Sequence, residues 1–344
     1  MSPAFRARAR STAIALLALV AGLGVLAVGL ALSGHAPGAA LGAMWDGAFG
    51  SRYAIFSSTL LRAVPLIVVG LGIALAFRAS ALNIGGEGQF YAGAIAATAL
   101  GVHLQGWPAP LAIALVLLVA TMAGAAWAAV PAWLRVRFGV MEAISTLLLN
   151  FVALSLVSWM VTGPLQEARH AYPQSDPIAL PARLPLLFGT RLHAGIVIAL
   201  VLAGCLAVVF RRTRAGFALK AAGAGPKAAA LIGGIDVDRV VAAALLGSGA
   251  LAGLAGGIEV AGVSYALFQD LSPGYGFTAI AVALLARLDP IGVVAAGVLF
   301  GALESGAAAM QRNAGVPSVA VYVVEAVVIV VVLLADRLAR KGTA

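Results

Sequence analysis

Long apolar runs recur along this chain from Thr12 to Ala335, several close to the roughly 20 residues an α-helix needs to cross a bilayer. Inside hydrocarbon each backbone N–H and C=O needs a partner within the protein, which a helix supplies to itself. The sequence therefore predicts an all-α, polytopic membrane protein. Composition excludes the soluble alternative: 62% of the 344 residues are hydrophobic and 10% charged, against about 25% charged in a soluble domain. Residues 1–344 are read as a single transmembrane domain.

The runs and their breakers give about ten spans, near 12–32, 57–77, 86–104, 109–130, 141–161, 193–210, 240–262, 274–287, 291–310 and 317–335. Asn83-Ile84-Gly85-Gly86 separates the second from the third, and Gly106-Trp107-Pro108 the third from the fourth. The stretch 162–191 carries Pro164, Pro173, Pro177, Pro181 and Pro185 and is assigned to an external loop, since unpaired backbone is not tolerated against lipid. The eighth span is short and follows Ser272-Pro273-Gly274-Tyr275-Gly276, the pattern of a discontinuous helix or of an ordinary helix with a loop at its outer end. Spans 2–5 start outside and spans 7–10 inside, the arithmetic of an inverted repeat.

With the N-terminus inside, sixteen Lys and Arg fall on the cytoplasmic side and six outside. The positive-inside rule therefore places both termini in the cytoplasm. Arg62 is the exception, about one turn inside the second span and expected to snorkel outward. The apolar stretch Thr12–Leu32 is longer than a signal-peptide core, so it is read as a first helix. The basic residues lie between apolar runs, which argues against nucleic acid as the partner of the net +9 charge. Cys205 is the single cysteine and the four histidines are scattered, so no metal site is expected.

Five acids fall in or beside spans: Glu87, Glu142, Glu259, Glu304 and Glu325. Burial there costs about 2.5–3.5 kcal/mol on insertion scales, and no Lys or Arg falls at a span centre to pair with them. Glu304 and Glu325 are expected to hydrogen-bond between helices. Glu87 belongs to a cluster with Asn83 and Gln89 among Gly85, Gly86 and Gly88, and sits where the third helix should begin, the end that favours a carboxylate. Asn83, Glu87, Gln89, Glu142, Asn150 and Phe277 are the candidate pathway residues. Phe90, Tyr91 and Tyr275 are further aromatics suited either to base stacking or to helix packing. The longest internal loop, 211–239, is basic and rich in small residues, and Pro226 can start a short helix there. Docking into a partner and lying on anionic lipid both suit it.

Four stretches carry a resemblance: Phe77–Gln89 with its Asn-Ile-Gly-Gly-Glu-Gly-Gln core, Val140–Asn150, Ala222–Ala229 continuing through Ser248–Gly256, and Gly274–Leu285. Together they resemble, in order, the permease family of ABC importers for simple sugars, nucleosides and branched-chain amino acids, with the first motif most similar to the nucleoside branch. The resemblance implies a bacterial inner-membrane permease with no cofactor of its own. It implies partner ABC ATPase subunits that bind ATP and Mg, a second permease (a copy or a paralogue) and an external solute-binding lipoprotein. It also makes the loop a coupling element, with Gly223, Pro226, Lys227, Ala228, Ala229 and Leu231 facing the ATPase. Where the family loop reads closer to Gly-Glu-Asn-Pro, this chain has Gly223-Ala224-Gly225-Pro226.

The chain has no Gly-x-x-x-x-Gly-Lys-[Ser/Thr] loop, so ATP hydrolysis is expected in a separate subunit. A sugar or branched-chain amino acid permease is the alternative within the class. An ion-coupled secondary transporter is the alternative outside it, and needs no long docking loop.

Overall fold

The computed structural model describes residues 3–324, 326, 327, 330 and 331, with side chains at Leu17 and, within that set, from Leu19 onward. Glu325 and part of the expected tenth span lie outside the described residues. Apart from two isolated β-bridges, the regular structure among the described residues is helical. Among the described residues, six helices are long and apolar enough to cross a membrane: α3 (Arg52–Arg78), α5 (Ala109–Phe138), α6 (Glu142–Thr162), α7 (Gly195–Arg212), α10 (Val237–Ser264) and α12 (Pro290–Ala314). The others are α1 (Pro3–Leu32), α2 (Pro37–Phe49), α4 (Gly86–Gly101), α8 (Arg214–Ala224), α9 (Pro226–Leu231) and α11 (Tyr275–Leu285). The protein is a polytopic helical membrane protein.

Helix starts follow the breakers in the sequence, while two features differ from expectation. Helix α5 continues through Pro131 to Phe138, beyond the expected end near 130. It stops at Gly139, whose φ of 68° closes a left-handed cap that donates to the Leu134 and Arg135 carbonyls, a geometry glycine adopts without strain. Helix α2 was not anticipated. Pro37 stands at its first turn, where the missing N–H costs nothing.

The chain forms two compact units, one of residues up to Ala63 with those from Val298 on, the other of Val64–Gly297. In the first unit small residues admit close backbone approach: a Cβ on Gly47 would meet Ala309, and one on Gly306 would meet Met44. Hydroxyls satisfy the rest, with Ser305 donating to the Gly47 carbonyl at 2.8 Å and Thr59 to that of Ala48 at 2.8 Å. Arg62 lies 3.8 Å from Glu304. This corrects the expectation that the buried acids lack basic partners and that Arg62 only snorkels.

The second unit is built around α4, thirteen of whose sixteen residues are buried. A stripe of glycines on α10 makes this possible. Gly256 faces α4, where a Cβ would overlap the Phe90 carbonyl, and a Cβ on Gly93 of α4 would overlap the Gly253 backbone. Gly249, Gly253 and Gly257 face Ala128, Gly124 and Ala120 of α5. Small residues at such spacing let helices pack where lipid gives no hydrophobic drive to associate. Helices α5, α6 and α7 keep most of their surface outward, with 22–28% of their apolar windows buried.

The expected loop 162–191 is ordered over the end of this unit. Ala179 N donates to the Gly101 carbonyl, Ile178 N to that of Tyr265 and Leu184 N to that of Ala261, all at 2.8–2.9 Å. His193 anchors its end, fully buried and accepting from Gly195 N through Nδ1 at 3.1 Å. Burial lowers its pKa to about 4, so the ring is neutral at physiological pH. The 211–239 segment lies at the other end, leading directly into α10.

Candidate functional site

Between α3 and α4 the chain leaves helical geometry at residues 79–85, and the exposed backbone must find partners. Side chains of α6 supply them. Leu82 N donates to Glu142 Oε1 at 2.9 Å, and Ile84 N to Thr146 Oγ1 at 3.1 Å. Asn150 clamps the break from both sides, accepting from Gly88 N at 2.8 Å and donating to the Ile84 carbonyl at 2.9 Å. The spacing of Glu142, Thr146 and Asn150 puts all three on one helix face. Arg135, at the end of α5, pairs with Glu142, a second basic partner that sequence reasoning did not foresee.

Asn83 is fully buried and forms the centre of the knot. Its amide donates to Gln89 Oε1 at 2.9 Å and to Ser248 Oγ at 2.8 Å, and its Oδ1 accepts from Gln89 Nε2 and Gly85 N, both at 3.0 Å. Both ends of the Asn83 amide are thus satisfied, as burial in a low-dielectric setting demands. Ser248 ties the knot to α10.

Glu87 points the other way. Its Oε2 accepts from Gly276 N at 2.7 Å, in the first turn of α11. A Cβ on Gly276 would overlap the backbone of Glu87, and one on Gly86 would touch Gly276. The N-termini of α4 and α11 therefore meet head to head, with the carboxylate between them. Gly86 also packs on Val69, in the middle of α3, so the junction lies deep between the helix ends. Each helix N-terminus stabilises a carboxylate by about 0.3–1 kcal/mol, and up to ~2 when partly buried. Two of them are of the same order as the cost of burying the acid.

The irregular stretch before α11 is equally tied down. Tyr265 ends α10 in left-handed geometry at φ 58°. Tyr91 of α4 donates to the Gln269 carbonyl at 2.9 Å and accepts from Ser272 N at 3.1 Å. Ser272 Oγ accepts from Tyr275 N at 2.9 Å, capping α11. In each half of the chain, then, a long helix (α3, α10) is followed by a break and a short helix (α4, α11).

The structure brings Asn83 and Gln89 together, sets Asn150 on the Gly88 and Ile84 backbone beside them, holds Glu142 about two turns before Asn150 on α6, and turns Glu87 to α11. Phe277 stands apart: it follows Gly276 but its side chain is 45% exposed. Sequence reasoning missed Thr146, Ser248, Ser272 and Gly276, although each lies in or beside the stretches that carry the resemblance. Glu259 is buried at the end of α10. Among the described residues no group of three or more His, Cys, Asp or Glu could hold a metal ion.

At the opposite end from the 162–191 loop, 211–239 forms α8 and the short α9. Thr213 caps α8 by accepting from Gly216 N, and Pro226 opens α9. Lys227, Ala228 and Leu231 are exposed with Pro226, and Leu231 and Ile232 stand 87% and 89% free. Gly223 and Ala229 turn inward. A Cβ on Gly223 would overlap the Arg78 carbonyl, and Ala229 is buried. Bulky changes at either position would strike the chain's own packing.

Comparison with known proteins gives this arrangement its context. The family described as branched-chain amino acid transport system / permease component matches residues 55–333. The chain belongs to that family. It is 36% identical to a glucose ABC transporter permease protein of Haloferax volcanii over 94% of this chain and 87% of the relative. It is 35% identical to a guanosine ABC transporter permease protein of Bacillus subtilis over 96% and 97%. A nucleoside ABC transporter permease protein of Lactococcus lactis subsp. cremoris is 32% identical over 94% and 90%. No solved structure matches. The chain is thus a permease subunit of an ABC transporter.

Proposed function

We propose that this permease moves a nucleoside-like solute inward through the region where α4 and α11 meet, driven by ATP hydrolysis in separate subunits. The observation that carries the solute class is the similarity to guanosine and nucleoside permease proteins over nearly their whole lengths. A sugar is the second reading, favoured by the equally extensive similarity to the glucose permease protein. Uptake of labelled guanosine and glucose by cells with and without the gene separates them. Gene-dependent guanosine uptake that excess glucose leaves unchanged is expected, whereas gene-dependent uptake of glucose alone would overturn the nucleoside reading.

Residues 1–344 act in this reading as one permease domain of about ten spans in a bacterial inner membrane. The match across 55–333 supports this, since it includes residues of both compact units. The two break-and-short-helix sequences support an inverted repeat. Both termini are assigned to the cytoplasm with the basic 211–239 segment, and the 162–191 loop faces an external solute-binding lipoprotein. A second permease, a copy or a paralogue, completes the pathway.

ABC ATPase subunits dock on the exposed tip of α9. Leu231 and Ile232 are large apolar side chains left almost wholly free, and they sit beside Lys227 and Ala228. Leu231→Ser with Ile232→Ser is expected to leave insertion intact while the ATPase subunits no longer co-purify and uptake is lost. Wild-type assembly and uptake in this variant would end the assignment.

A further inference from the structure

The α8–α9 segment is joined to the Glu87 junction by a small set of contacts at the end of α3. Ser80 Oγ donates to the Gly223 carbonyl at 2.9 Å, and Gly223 rests directly on the Arg78 backbone. The Arg78 guanidinium lies 4.3 Å from the centre of the Phe210 ring in the last turn of α7, an attractive cation–π geometry. It also donates to the Leu288 carbonyl at 3.4 Å. Arg211, next to Phe210, pairs with Asp289 at 2.9 Å.

From this cluster two routes reach the same place. One is the unwound chain from Ser80 to Gly86, which enters α4 and Glu87. The other is α11, from the Leu288 turn back to Gly276, whose N–H binds Glu87. Both routes leave the cluster through non-glycine residues in left-handed geometry: Ser80 at φ 56°, Arg287 at 53° and Leu288 at 58°. Such conformations are strained for residues other than glycine and persist only where surroundings impose them. The turns are thus held by the cluster rather than by their own preference, and a shift of α8 alters what holds them.

We propose that Arg78 and Ser80 are positioning residues that transmit movement of the α8–α9 segment to the junction of α4 and α11. The proposal rests on the reading of that segment as the ATPase-docking element. The Arg78 side chain binds two elements, α7 through Phe210 and the turn after α11 through Leu288, while its backbone carries Gly223 of α8. Ser80 fixes the start of the unwound chain to α8. Neither contacts solute. Their loss leaves docking intact and separates hydrolysis from movement of the half-helices.

The test uses the complete transporter reconstituted in proteoliposomes, measuring solute uptake and ATP hydrolysis on the same preparation. Arg78→Gln and Ser80→Ala are expected to retain bound ATPase subunits and near-normal hydrolysis, with uptake per ATP falling about tenfold, within the range of coupling between sites. Arg78→Lys, which keeps the charge over Phe210, is expected to recover part of that ratio. An unchanged ratio in both Arg78→Gln and Ser80→Ala would overturn the proposal, as would loss of the ATPase subunits from both. Ser80 is exposed, so its variant carries the test if Arg78→Gln does not fold. Failure of the docking reading has a different signature: the Leu231/Ile232 variant would still assemble and transport, and the proposal would fall with it.

Discussion

Gly253→Val is expected to abolish folded protein, seen as loss of the monodisperse peak in fluorescence-detected size exclusion from mild detergent. Gly253 lies between α4 and α5, with a Cβ overlapping the Ala120 carbonyl and the backbone around Gly124. Overpacking costs about 1–3 kcal/mol where neighbouring side chains can yield. Here the neighbours are backbone of α5, and Gly93 of α4 rests on the Gly253 backbone, so the helices must separate and the α4 contacts are lost with them. Against a total stability of about 5–15 kcal/mol, this is among the largest effects a single methyl-bearing side chain can have. Gly204→Val on α7 is the control. Nothing lies within 4 Å of a Cβ there, and the peak is expected to stay at its wild-type height. Equal behaviour of the two variants would mean that the glycine stripe does not set the packing of α4, α5 and α10.

Glu87→Gln is expected to insert and fold but to lose transport. Glutamine retains one acceptor oxygen for Gly276 N, yet brings an N–H₂ donor to a place where two helix N-termini already present donors. A hydrogen bond to a charged group contributes about 1.5–3 kcal/mol, which corresponds to a roughly tenfold to hundredfold fall in uptake rate. Labelled-solute uptake normalised to membrane-inserted protein reads this out. Normal uptake would leave Glu87 with the structural task of joining α4 to α11 and nothing more. Glu87→Ala, which leaves Gly276 N without its partner, is expected to lower the yield of folded protein as well.

Much of the site was legible in the sequence because polar residues are conspicuous where lipid forbids them. Asn83, Glu87, Gln89, Glu142 and Asn150 stood out on that ground, and all five are buried. Their partners were less visible. Thr146 and Ser248 are compatible with any helix, and only the fold brings Ser248 to Asn83, 165 residues away. The same holds for Arg135 and Arg62: each looked like a loop or interface charge, and each pairs with an acid from another helix. Gly223 packs on Arg78 and Ala229 is buried, neither of which shows in the sequence. Small residues in a loop suit a docking surface and a tight internal contact equally, and the linear sequence does not say which neighbour comes close.

Hydropathy and local chemistry along the chain already specify a protein of apolar helices, where most of them begin and end, and which stretch carries the exposed basic segment. These are local properties, set by hydropathy over a turn or two and by proline, glycine and capping side chains. Tertiary structure alone decided that α4 and α11 meet N-terminus to N-terminus around Glu87, that α10 lies against α4 and α5 through glycine, and that Arg78 gathers α7, α8 and the end of α11. Those facts depend on backbones approaching within a single atom's width across long sequence separations, and hydrophobic periodicity contains no information at that scale.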